Sequence, residues 1–171
     1  MSYYFSTRVS GTFADALERT RAALQAEGFG IISEIDVART LKEKIGVDFR
    51  PYTILGACNP TVAYEALKLE DKVGTMLPCN VVVQARDEGV EIAAINPVSS
   101  MRAIENVQLA AKASEVADKL RGVIGQLGGE QGLSQADLHN HEAEIEQQSE
   151  TSRRELDSFA PAGTDPLHEG P

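Results

Sequence analysis

Tryptophan is absent from this chain, and aromatic residues make up only 5% of it. Histidine is missing from residues 1–127; His139, His141 and His168 all fall near the C-terminal end. The part able to fold therefore lacks the commonest general base and the usual partner of a Ser-His or Cys-His nucleophile. There are two cysteines, Cys58 and Cys79, too few for a disulfide scaffold. No run approaches the roughly 18 apolar residues of a membrane span. Met1 to Phe5 shows neither the basic nor the apolar region of a secretion signal. These absences predict a cytoplasmic protein with no membrane partner.

Basic charge is also scarce. There are 16 Lys and Arg against 26 Asp and Glu, for a net charge of −10. Residues 1–127 carry −2 of this and residues 128–171 carry −8. A nearly neutral domain without a basic stripe argues against nucleic acid as partner. A phosphate loop is missing too. Gly28-Phe29-Gly30 follows a helical pattern, whereas the dinucleotide fingerprint needs a strand before its glycines.

What is present suits one domain. Hydrophobic residues make up 42% of the 171, close to a soluble globular average. Tyr3 to Val9 reads as a strand. Thr12 caps a helix whose Phe13, Leu17 and Leu24 share a face, and Gly28 stops it. Phe29 to Ile35 reads as a second strand. Asp36 caps a short helix carrying Val37, Leu41 and Ile45, ended by Gly46. Tyr52 to Cys58 is a third strand. Asn59-Pro60 then supplies an N-cap and a first-turn proline for a helix to about Glu70. Asn80 to Arg86 and Val90 to Ile95 are joined by Asp87-Glu88-Gly89, a hairpin signal. Asn96-Pro97 breaks the last strand, a short helical stretch is expected near Ser99 to Ile104, and a long helix runs from Gln108 to Gln126.

The order β-α-β-α-β-α-β-β-α predicts an α+β two-layer sandwich. Its sheet is expected to be mixed and mainly antiparallel, with helices packed on one face. Residues 1–127 form the domain. Residues 128–171 read as a largely disordered acidic tail, with a transient helix over Glu142 to Leu156, because they hold too few large apolar residues to offset ordering entropy.

Chemistry concentrates at the two cysteines. Cys58 ends a strand just before a capped helix, and a helix N-terminus favours thiolate. Cys79 starts a strand just after Pro78. Neighbouring strands would bring both thiols to one end of the sheet. Met76 could add a thioether, and two thiolates with a thioether suit a soft ion such as Cu(I). The same residues can equally be core packing. Asn59 and Asn80 are further ligand candidates; Arg50, Tyr52 and Tyr64 could line a cleft with them, although Tyr52 and Tyr64 read more readily as ordinary core-edge residues. Glu65, Glu70 and Asp71 read as a solvated helix face, and Asp87 and Glu88 as loop residues.

Three segments carry a resemblance. Tyr52 to Pro60 contains Gly56-x-Cys58-Asn59-Pro60, Met76 to Val83 contains Leu77-Pro78-Cys79, and Val90 to Pro97 ends on Asn96-Pro97. Together they resemble the family called domain of unknown function 302, over residues 1–127. The resemblance implies a single copy of the TATA-box-binding-protein-like α+β fold in proteins that pair as homodimers. It implies no catalytic residues, and shared fold does not carry DNA binding with it.

Three functions are expected to compete. One is a protein that binds a small ligand, a soft metal ion or a sulfur species near Cys58, Cys79, Asn59, Asn80 and Met76. The second is a thiol redox enzyme with Cys58 as nucleophile and Cys79 resolving it. The third is a structural module without chemistry.

Overall fold

The computed structural model describes residues 1–129. The acidic tail from residue 130 onward, the transient helix expected over Glu142 to Leu156 and the three histidines lie outside the described residues. Five strands, β1 (Tyr4–Val9), β2 (Gly30–Asp36), β3 (Tyr52–Cys58), β4 (Cys79–Ala85) and β5 (Val90–Ile95), form one sheet in the order β1-β5-β4-β3-β2. Every pairing is antiparallel, so the expected mixed sheet is here wholly antiparallel. The first helix carries the chain from one sheet edge to the other, and each later strand then adds beside its predecessor or returns to close on β1.

Helices α1 (Phe13–Ala26), α2 (Val37–Ile45), α3 (Pro60–Leu69), α4 (Pro97–Ser100) and α5 (Val107–Leu127) fill the connections, with a 3-10 turn at Val73–Met76. Capping chemistry places the helix starts. Thr12, Asp36, Asn59, Asn96 and Asn106 each accept a backbone N–H with the side chain. Each such cap contributes about 1 kcal/mol. Gly28, at φ 85°, follows α1 in a conformation that side chains avoid, consistent with a helix stop.

Strand alternation decides which face is core. Leu55, Ala57, Cys79, Val81, Val83, Ile92 and Ala94 are buried on one face, under Ala16 and Leu24 of α1 and Leu120, Val123 and Ile124 of α5. Burying one such Leu, Val or Ile contributes roughly 1.5–3 kcal/mol. A second, smaller cluster joins Ala66 of α3, Val73, Met101, and Leu109 and Ala113 of α5. The other sheet face carries Tyr52, Ile54, Asn80, Val82, Gln84 and Glu91, which are half-buried or exposed. No residue of α2 is buried, so its Val37, Leu41 and Ile45 stripe contributes little to the core. Among the described residues no helix is long and apolar enough to cross a membrane.

Candidate functional site

The motif residues divide into those that build the backbone and those that do not. Asn59 Oδ1 accepts from Val62 N at 3.3 Å, and Pro60 occupies the first turn of α3. Asn96 repeats the arrangement at α4. Its Oδ1 accepts from Val98 N at 3.2 Å, its Nδ2 donates to Ser2 O at 2.9 Å, and Pro97 follows. Both Asn-Pro pairs are therefore helix starts. Asn96 also ties the N-terminal residues to the end of β5.

Gly56 is explained by space. A Cβ there would collide with Ser33 Oγ and lie 2.7 Å from Cγ of Pro78, which follows a cis peptide bond. The strand needs glycine at this position so that the Ser33 side chain and the proline ring can approach it. Of the remaining motif residues, Leu77 packs against the smaller apolar cluster, and Cys58 and Cys79 are left with no cap or close approach to account for them.

The register brings the two cysteines together at one end of the sheet. β3 and β4 are neighbours, and Ala57 stands opposite Cys79, so Cys58 is one residue past that pairing. Both are free thiols, Cys58 half-buried and Cys79 buried. Burial pushes the Cys79 thiol up to about 11 from 9.0, and the charge on Cys58 adds to the rise. At neutral pH Cys79 is thus a protonated, apolar-walled thiol.

Both cysteines line a cavity of about 40 Å³ where the two apolar clusters meet. Its walls come from α3 (Asn59, Val62, Ala63, Ala66), α5 (Leu109, Lys112, Ala113, Val116) and the sheet end (Ala57, Cys58, Cys79), closed by Phe29, Leu77, Pro97 and Met101. Ala57, Ala63, Ala66 and Ala113 are too short to fill the gap between the helices and the sheet, which is the physical origin of the space. Among the described residues the only lining group that carries a full charge at neutral pH is Lys112. Its Nζ reaches Glu65 Oε2 at 2.5 Å and Glu115 Oε2 at 3.7 Å, so an ion pair links α3 to α5 beside the cavity. Glu65 holds the Lys112 ammonium above its ordinary pKa, and Lys112 holds the Glu65 carboxyl below its own.

The structure gathers only part of the expected site. Cys58, Cys79 and Asn59 share the cavity. Asn80 is exposed on the sheet face opposite Cys79, because successive strand residues alternate. Met76 packs against the smaller cluster and is not among the cavity walls, so the two thiols and the thioether are not assembled. Among the described residues no group of three or more His, Cys, Asp or Glu is arranged to hold a metal ion. Tyr64 is 64% exposed, and Arg50 lies in a groove at the far end of β3 with none of the cavity residues. Lys112 was not legible as a site residue. It sits on the long terminal helix amid ordinary helix formers, and its partner Glu65 reads locally as solvated.

Comparison with known proteins agrees with the fold. A crystal structure of an uncharacterized conserved protein DUF302 from Bacillus stearothermophilus matches with a TM-score of 0.70 and 28% sequence identity, covering 74% of this chain and 99% of that one. None of the curated proteins matches. The model of domain of unknown function DUF302 matches residues 5–127 and takes in every strand but the first residue of β1, all five helices and both cysteine motifs, and the chain belongs to that family.

Proposed function

We propose that the protein binds a small ligand in the cleft between α3, α5 and the sheet end, with the thiols of Cys58 and Cys79 in its wall. The observation that carries this reading is the alanine-bounded cavity at which both cysteines meet. Its 40 Å³ accommodates about three water-sized groups at roughly 10–15 Å³ each. The buried part of the ligand is therefore a few heavy atoms. Apolar walls and a protonated thiol favour a soft, uncharged group, such as a reduced sulfur species or the short apolar end of a larger metabolite.

A soft metal ion fits less well. Metal binding by cysteine needs thiolates, and burial opposes the Cys79 thiolate. The same burial weakens the redox reading, in which Cys79 would resolve a bond formed at Cys58. A cytoplasmic setting would keep both thiols reduced. Pairing as a homodimer is supported by exposed apolar side chains on and after β2: Ile32, Ile35, Ile45, Val47 and Phe49.

Native mass spectrometry of freshly purified full-length chain, kept anaerobic and reduced, tests the reading. The expected result is an added mass on the wild type that is absent from a folded Ala113→Phe variant, whose ring fills the cleft. A clean apo mass for the wild type would overturn retention of a ligand in this cleft.

A further inference from the structure

A second site lies at the opposite end of the sheet. Tyr52, Gln84, Glu91 and Arg8 stand side by side on four neighbouring strands, in register across β3, β4, β5 and β1. Strand alternation puts this row on the face away from the helical core. Arg50 donates to Gln84 Oε1 from Nε at 2.9 Å and from an Nη at 2.8 Å, and Gln84 Nε2 donates to Glu91 Oε1 at 2.9 Å. The Arg50 guanidinium also lies 4.5 Å from the Phe49 ring centre and 5.7 Å from that of Tyr52. It is held in place by neutral partners and rings, and among the described residues it makes no ion pair.

Glu91, whose side chain is 15% exposed, is the single carboxylate among the described residues that the other two arginines approach. Arg8 Nε and Arg86 Nε both stand 3.8 Å from Glu91 Oε2, beyond hydrogen-bond reach. Two guanidiniums, those of Arg8 and Arg86, thus approach one acidic side chain, and that of Arg50 is held beside them on Gln84, which itself donates to Glu91. The three arginines line a groove of about 620 Å³, a volume in the range of small-molecule sites. Asp87 and Glu88 of the hairpin loop line it too, and the ion pairs of Arg8 and Arg86 go to Glu91, not to them.

We propose that this groove binds a compact phosphate-bearing small molecule, its phosphate held by Arg8, Arg50 and Arg86. A phosphate dianion accepts from several guanidiniums at once, whereas a carboxylate is satisfied by one bidentate arginine. Asp87 and Glu88, in the groove wall, oppose every negative charge beyond what the three arginines offset, which favours one short phosphate group over a nucleic-acid backbone.

Inorganic pyrophosphate, titrated at low salt into the full-length chain and followed by amide and arginine side-chain NMR, tests this. The expected result is saturable shifts confined to Arg8, Arg50, Arg86 and the hairpin loop. In a folded Arg8→Gln/Arg86→Gln variant the affinity should fall at least tenfold. Shifts that do not saturate, that spread over the surface, or that persist at equal affinity in the variant would overturn the site. The wild-type titration alone decides the matter if the variant does not fold. The Cys58/Cys79 cleft lies at the other end of β3 and β4, so this result stands or falls without it.

Discussion

The Cys79 thiol should make the protein alkali-sensitive in a way that one substitution removes. In the folded chain it titrates at about 11, against 9.0 for an unperturbed thiol. Below pH 9 both folded and unfolded chains keep the proton, and the buried thiol's contribution is fully present. Between pH 9 and about 11 the unfolded chain loses its proton while the folded chain retains it, so stability falls as pH rises. Two pH units at about 1.4 kcal/mol each give a loss on the order of 2–3 kcal/mol. Lysines and tyrosines titrate over the same range, so the wild type must be compared with Cys79→Ala under reducing conditions. Urea unfolding at pH 7 to 11 should show the wild-type advantage shrinking by that amount above pH 9. Cys58→Ala should recover the smaller part that comes from the Cys58 charge. Parallel stability curves for wild type and Cys79→Ala would refute the burial argument.

Gly56→Ala places a methyl on Ser33 Oγ and the Pro78 ring and should cost about 1–3 kcal/mol, read as a lower urea midpoint. An unchanged midpoint would mean that β2 can move aside. Asn96→Ala removes the α4 cap and leaves Ser2 O without its donor, for a loss of about 1–2 kcal/mol by the same measurement. Amide exchange should also quicken near Tyr3 and Tyr4. Ile35→Glu puts a charge on a side chain that is 48% exposed, so it should leave folding intact but lower the mass seen by light scattering if β2 lies at a homodimer contact. A single mass shared with the wild type would remove β2 from that role.

Secondary structure was largely readable because capping and turn chemistry are local. Thr12, Asp36 and Asn59 each announced a helix, and the Asp87-Glu88-Gly89 hairpin joined the strands it was expected to join. Asn96-Pro97 ends β5, as its sequence predicts, and is at the same time the cap and first turn of α4, so that helix starts at Pro97 and not near Ser99, by the same device as Asn59-Pro60. The cleft was only half legible. Cys58 and Cys79 stood out as motif residues, whereas Lys112 and the alanines that leave the space carried no local mark. A cavity is a deficit of volume between elements that are distant in the chain.

Residue chemistry along the chain was enough to place the helices, the hairpin, the family motifs and the cysteines at strand ends, since each depends on neighbours within a few residues. The strand order, the wholly antiparallel register, the separation of Asn80 and Met76 from the thiols, and the gathering of Arg8, Arg50 and Arg86 at one groove depend on pairings between remote segments. Those pairings are selected by burial of the sheet as a whole, a property that no single stretch of sequence carries.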